Sequence, residues 1–210
     1  MIRLIIADDH PIVREGLKRI ITEYSDMHLV SEAADGNEIL AQCSEHNVDV
    51  LLLDISMPGP GFLYTLQRLR VKHPDMHVLV LSIHPENHYA VRAIKAGAAG
   101  YLTKDHTPEE LADAIRHVHK GRKYLTSIVA EELASQLQSG KEVQLHKNLS
   151  DREYQILCMI GSGKQPNKIA SLLSLSPKTI STYRNRILLK LKLKTTGELI
   201  RYAVENGLED

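Results

Sequence analysis

The stretch that decides the fold is VDVLLLD, residues 48–54. Leu51, Leu52 and Leu53 stand side by side with no polar residue between them. The run therefore lacks the alternation of a half-exposed strand and reads as one covered on both faces of a parallel sheet. It stops at Asp54. Four more β-branched or leucine-rich runs lie around it: RLIIAD (3–8), HLVSEA (28–33), MHVLVLS (76–82) and AGYLTK (99–104). Between and after them lie segments of helical period, over 12–24, 37–46, 62–73, 87–96 and 107–119. Five βα units make a doubly wound α/β domain. Thr107, Pro108 and Glu110 spell a capping box with proline at the first helical position, which starts the fifth helix.

Asp8 and Asp9 end the first strand as Asp54 ends the third. In a sheet of order 2-1-3-4-5 those strands are neighbours, and the crevice beyond their carboxyl ends is where such sheets bind ligands. Three carboxylates therefore converge. Unbalanced they repel one another, so the set makes sense around a hard divalent cation such as Mg²⁺. Ser82 ends strand four and Lys104 ends strand five, adding a hydroxyl and an ammonium to the same rim. These are the parts needed for phosphoryl transfer onto an aspartate: Asp54 attacks in line, and Mg²⁺ and Lys104 spread the charge on the phosphoryl oxygens. A phosphohydrolase of the haloacid-dehalogenase type also uses an aspartate nucleophile and Mg²⁺ but needs a second aspartate two residues further on as general acid, and that place holds Ser56.

The chain has 210 residues, enough for two small domains. Hydrophobic residues at 43% and charged residues at 25% sit at the globular average and exclude a disordered or fibrous chain. Cys43 and Cys158 are far apart with no CxxC partner, which removes a disulfide scaffold and a thiolate zinc site; both fall among apolar helix residues and read as buried, inert thiols. No apolar run approaches the length of a membrane span or signal segment, so the expected compartment is the cytoplasm, with no membrane partner. Of the eleven histidines, His84 with His88 and His73 with His77 have i,i+4 spacing, but no third ligand is near them. They read as scattered surface groups, and His10 reads as a surface group or one behind the acidic pair.

The formal net charge of zero hides a split. Residues 1–120 carry 12 Lys and Arg against 17 Asp and Glu, and residues 145–210 carry 11 against 6. No acid occurs between Glu153 and Glu198, a window that holds eight Lys or Arg. Such a stretch favours a polyanion. After Gly121 one helix is expected over 126–139, and the polar SGKEVQLHKN (139–148) reads as an exposed linker. Ser150 with Glu153 caps a helix to about Ile160, closed by Gly161 and Gly163. Pro166 opens a short helix to about Leu173, and a turn at 174–176 leads to a longer one from Pro177 to about Lys192. Thr195 with Glu198 caps a fourth helix. A short helix, a three-residue turn and a longer basic helix are the elements of a helix-turn-helix. At 100° per residue Ile180, Ile187 and Leu191 share a core-facing side of the long helix, and Lys178, Ser181, Thr182 and Asn185 gather on the opposite side.

The motifs IIADDHPIVREGL (5–17), LLLDISMPG (51–59), VLVLS (78–82) and AGAAGYLTKD (96–105) resemble those of a response-regulator receiver domain. LSDREYQIL (149–157), KTISTY (178–183) and KLKLKT (190–195) resemble the LuxR-type helix-turn-helix. In this order they are similar to the NarL/FixJ family of transcription regulators over nearly the whole chain. The resemblance implies a flavodoxin-like receiver at 1–121, a linker helix and flexible linker at 122–148, and an all-α four-helix DNA-binding domain at 149–210.

It makes Asp54 the phospho-acceptor, with Asp9, Asp54 and the Ser56 backbone carbonyl on Mg²⁺ and Asp8 acting mostly through a metal-bound water. Ser82 would bond the phosphoryl group, Lys104 would pair with it, and Tyr101 would turn inward behind Ser82. In relatives the positions matching Ser181, Thr182 and Asn185 touch bases. Asn185 can pair with adenine and the Thr182 methyl can touch thymine, so an A·T-leaning half-site is expected. Lys178, Arg184, Arg186, Lys190, Lys192 and Lys194 would mainly hold phosphates. The implied partners are a sensor histidine kinase as phosphodonor, double-stranded DNA and a second copy of the chain when active, with RNA polymerase as a further candidate. The competing reading is a regulator that binds DNA without phosphorylation. Three places depart from the family pattern: MPGPGF (57–62), with Pro60 and Phe62 in place of the usual residues, QPNK (165–168), and Thr196.

Overall fold

The five apolar runs form the strands β1 (Ile2–Ala7), β2 (Met27–Ala33), β3 (Val50–Asp54), β4 (His77–Ser82) and β5 (Gly100–Thr103) of one parallel sheet in the order β2-β1-β3-β4-β5. This is a computed structural model, and it describes residues 1–59, 61–82, 86–138, 145–173 and 175–208. The central strand β3 is buried along its whole length, as its lack of alternation requires. The helices α1 (Pro11–Thr22), α2 (Gly36–Glu45), α3 (Phe62–Lys72), α4 (Glu86–Ala96) and α5 (Pro108–His119) follow the strands in turn. One core gathers Leu4, Ile6, Leu52 and Leu79 from the sheet with Leu17 and Ile21 of α1 and Leu111, Ile115 and Val118 of α5. The α5 start is the expected capping box: Thr107 Oγ1 accepts from the Glu110 N–H, and the Glu110 carboxylate accepts from the Thr107 N–H.

The chain divides into two compact units, Met1–Ser139 and Gly140–Asp210. The segment expected as a linker, 122–148, carries structure at both ends. Tyr124 continues the sheet beside β5, its N–H donating to Ala99 O at 3.0 Å. Helix α6 (Ser127–Gln138) packs on α4. Both therefore belong to the first unit, where Tyr124 covers backbone groups that an edge strand leaves unpaired. Residues 139–144, most of the expected flexible linker, lie outside the described residues, as do Pro60, His84 and the turn residue Ser174.

Among its described residues the second unit holds a 3₁₀ turn (Leu145–Asn148) and four helices: α7 (Asp151–Gly161), α8 (Pro166–Leu172), α9 (Pro177–Leu191) and α10 (Thr196–Glu205). Ser150 and Glu153 close the box at α7, Gly163 at φ +74° ends that turn, Ser176 caps α9, and Thr195 caps α10. Ile180, Ile187 and Leu191 are buried, so α9 turns its apolar side to α7 and α8. No helix among the described residues is long and apolar enough to cross a membrane.

Candidate functional site

The sheet register builds the acidic site. Ala7 pairs with Leu53 and Asp54 with Leu81, so Asp8 and Asp54 leave neighbouring strands at the same height. Ser82 pairs with Thr103, and the Lys104 N–H donates to Ser82 O at 2.7 Å, which places the lysine at the same rim. Asp8 and Asp54 are 1% and 2% exposed, Ser82 is buried, and Asp9 is partly exposed. Lys104 Nζ reaches Asp8 Oδ2 at 2.5 Å and Asp54 Oδ1 at 3.1 Å, bridging the two buried carboxylates. Burial pushes the Asp54 carboxyl above its ordinary value, Asp8 and Asp9 add to the rise, and Lys104 opposes it. Burial also pulls on the Lys104 ammonium, but the attraction of Asp54 and Asp8 outweighs it and leaves the group above its usual value.

Single ligand atoms from Asp8, Asp9, His10 and Asp54 all lie within 4.8 Å of one another. Asp54 Oδ2 is buried and accepts no hydrogen bond; Asp9 Oδ1 accepts none of proper geometry, although His10 Nδ1 lies 2.9 Å away. Buried carboxylate oxygens left unbonded beside one another fit a hard, oxygen-seeking cation. Ser56 follows in the β3–α3 loop, partly exposed. Tyr101 lies inward on β5, 1% exposed and paired in register with Val80, beside the strand that ends in Ser82. Phe62, a departure from the family pattern, is buried in the first turn of α3 with its ring edge-on to Tyr89 of α4, centroids 6.3 Å apart.

His10 stands behind the acidic pair, one of the two places expected for it, whereas Arg14 escaped the sequence reading. The His10 N–H donates to Asp8 Oδ1 at 2.8 Å, and Arg14 Nη1 donates to Asp8 O at 2.7 Å. The only signal for Arg14 was its place in IIADDHPIVREGL. Arg14 lies on the first turn of α1, just beyond the acidic pair.

On α9, Lys178, Ser181, Thr182, Asn185, Arg186 and Lys190 are exposed, as are Lys192 and Lys194 just after the helix. The Ser181 and Thr182 hydroxyls bond back to Pro177 O and Lys178 O, which leaves the Thr182 methyl turned outward with the helix face. Arg184 is half-buried, and its Nη2 donates to Asn185 Oδ1 at 3.2 Å. Lys190 differs from the other cations. Its Nζ lies 2.6 Å from Glu153 Oε2, a carboxylate whose side chain is 4% exposed and which also accepts from the Ser150 N–H. The ion pair ties α9 to the cap of α7, a role not anticipated from the sequence.

Sheet order, acidic rim and helix-turn-helix together define the class of response regulators with a DNA-binding output. Residues 4–116 match the response regulator receiver domain and residues 147–203 match the bacterial regulatory proteins of the luxR family, so the chain belongs to the NarL/FixJ response regulators. It is 38% identical over 209 residues to the response regulator UvrY of Escherichia coli (strain K12), covering 99% of this chain and 96% of UvrY. It is 37% identical over 211 residues to the response regulator GacA of Pseudomonas aeruginosa, covering 100% and 99%. Among solved structures, RcsB of Salmonella typhimurium matches with a TM-score of 0.61 at 25% identity, over 97% of this chain and 100% of that one. A structure of an RcsB–DNA complex matches with a TM-score of 0.59 at 25% identity, over 97% and 98%. The family is one of two-component, DNA-binding transcription regulators.

Proposed function

We propose that this chain is switched by phosphorylation of Asp54 and that the switched form binds double-stranded DNA as a dimer in the cytoplasm. The observation that carries the reading is Asp54 itself. It is a buried carboxylate at the carboxyl end of β3, with one oxygen 3.1 Å from an ammonium and the other accepting no hydrogen bond. A phosphohistidine of a sensor kinase is the donor. An Asp54 oxygen attacks phosphorus, the P–N bond breaks, and the electron pair leaves on the imidazole nitrogen, which takes up a proton. Asp9, Asp54 and the Ser56 carbonyl would hold Mg²⁺, with Asp8 beside them, and the ion supplies charge neutralisation on the phosphoryl oxygens.

Phosphorylation adds about two negative charges at this rim. Lys104, now shared between Asp8 and Asp54, then pairs with the phosphoryl group, and Ser82 donates to it. Tyr101, buried on the neighbouring strand, is the side chain through which the change at Ser82 reaches the α4–β5 face.

The outward face of α9 enters the major groove. Asn185 pairs with adenine once Arg184 releases its Oδ1 and turns to a phosphate, and the Thr182 methyl meets a thymine, with Ser181 beside them. Lys178, Arg184, Arg186, Lys190, Lys192 and Lys194 supply phosphate contacts. A single helix-turn-helix reads few base pairs, so two copies on two half-sites are needed. The α10 face with exposed Ile200 and Val204, one turn apart, is the contact between them in this unit. The RcsB–DNA complex among the structural neighbours supports the DNA arm of the reading.

Sedimentation velocity on a half-site pair, with and without acetyl phosphate and Mg²⁺, tests it. Wild type should shift to a dimer on DNA when phosphorylated, and Asp54→Asn should not. A monomer in both states, on DNA as well as off it, overturns the reading.

A further inference from the structure

At the end of the sheet opposite the acidic rim, a cavity of about 380 Å³ opens between the start of β4, the last turns of α3 and α4, and the segment after α5. Arg70, His77, Arg122 and Lys123 stand around it, and Met76 and Ile94 contribute apolar surface. No carboxylate is among its lining residues as described, in a unit whose net charge up to residue 120 is negative. Asp75 and Asp49 both act on His77, and Asp49 is already held by Arg3 at 2.7 and 3.0 Å.

Arg70, Arg122 and Lys123 are exposed, and like charges gathered on one concave surface without a counterion make it attractive to an anion. Lys123 Nζ donates to Ala98 O at 2.6 Å, which spends one of its three donors. The Arg70 side chain lies over Gly97, close enough that an added Cβ there would meet Arg70 Cδ at 2.9 Å, and that glycine takes φ +115°. Among the described residues, Arg70 and Arg122 make no ion pair or hydrogen bond that would balance their charge. Burial lowers the Lys123 ammonium below its usual value, and Arg70 lowers it further, so the cations raise one another's free energy. A bound anion removes that repulsion.

We propose that this cavity is a second ligand site, which takes a small organic phosphate with its phosphate group between Arg70 and Lys123 and its carbon body against Met76 and Ile94. Guanidinium and ammonium donors around a concave floor suit a multiply charged oxyanion. The volume accommodates a body larger than inorganic phosphate. The site is remote from Asp54 and needs neither Mg²⁺ nor phosphorylation.

The test is an amide-shift titration of the full chain by NMR, free of Mg²⁺, with AMP, pyrophosphate and inorganic phosphate as separate probes. AMP should give saturable shifts at Gly97, Ala98 and Lys123 and bind more tightly than inorganic phosphate. Arg70→Gln and Lys123→Gln should each weaken it by about tenfold, and Lys123→Arg should restore most of the loss. Pyrophosphate separates charge from carbon: if it matches AMP, the site reads charge alone and the carbon-body assignment is wrong. The site itself is refuted if no probe saturates at these amides up to about 10 mM, if the Gln variants titrate like wild type, or if shifts appear only along 164–194.

Discussion

Lys190→Met separates two roles that the sequence assigns to one lysine. A lysine that only holds DNA phosphates should cost nothing in the free protein, because exposed substitutions stay within about 0.5 kcal/mol. Here Lys190 Nζ lies 2.6 Å from a Glu153 oxygen, and that carboxylate is 4% exposed on its side chain. Removing one partner of a fully buried pair costs about 3–5 kcal/mol. The lysine side chain is 44% exposed, and Glu153 keeps its hydrogen bonds from Ser150, so water and the cap recover much of that loss. A cost of about 1–2 kcal/mol remains. In a unit of this size each kcal/mol is worth about 4–8 °C in Tm.

The pH dependence has a definite sign. Burial raises the Glu153 carboxyl, but the Lys190 and Ser150 hydrogen bonds outweigh it and hold the group below its ordinary value. Its contribution is therefore full above that ordinary value and is lost as pH falls below it. Without Lys190 the loss should begin at higher pH. Calorimetry of the full chain, following the transition of the second unit from pH 7 to pH 4, reads both effects. The double variant Glu153→Gln/Lys190→Met should recover most of the melting temperature. A Lys190→Met chain melting within about 1 °C of wild type at pH 7 would refute the ion-pair reasoning.

Three further outcomes are expected. Asn185→Ala should cost about 1–3 kcal/mol at one base position of the half-site and nothing elsewhere; selection from randomised DNA reads this directly, and an unchanged motif contradicts it. The Asp49 carboxyl is held down to about 2 by its hydrogen bonds with Arg3, so its stabilisation is present above its ordinary range and disappears as pH falls toward 2. Asp49→Asn should accordingly flatten the acid limb of the stability curve measured by denaturant titration. Burial pushes the Cys43 thiol up to about 12, so alkylation of the native chain at pH 8 should leave Cys43 unmodified until denaturant is added.

The legible parts of this molecule were those set by local pattern. Three adjacent leucines before Asp54 gave a doubly covered strand, and the strand-end acids then met because β1 and β3 are neighbours in register. Ser150 with Glu153 and Thr107 with Glu110 marked helix starts, because a capping box satisfies backbone donors within four residues; at Thr195 the hydroxyl accepts from the Glu198 N–H as expected, but the Glu198 carboxylate accepts from the Lys194 N–H instead. The buried side of α9 followed from its 100° spacing alone.

What stayed hidden depends on contacts between distant residues. Tyr124 joins the sheet through Gly100, where an added Cβ would meet Tyr124 Cβ at 2.9 Å; nothing in the sequence after Gly121 announces that approach. Lys190 and Glu153 are 37 positions apart, so the lysine looks like any other cation of a basic helix. Phe62 stood out as a departure, but only packing against Tyr89 shows that its ring fills a place between α3 and α4. The bridge from Lys104 to Asp8 as well as Asp54 likewise rests on side-chain reach across the rim.

The central claim is that Asp54 accepts the phosphoryl group, and intact-mass spectrometry after incubation with acetyl phosphate tests it most directly. Wild type should gain one phosphoryl group with Mg²⁺ and none in excess chelator. Asp54→Asn, nearly isosteric but a poor nucleophile, should gain none under either condition while keeping the wild-type circular dichroism. Equal phosphate uptake by Asp54→Asn, or uptake by wild type that is indifferent to Mg²⁺, would contradict the account.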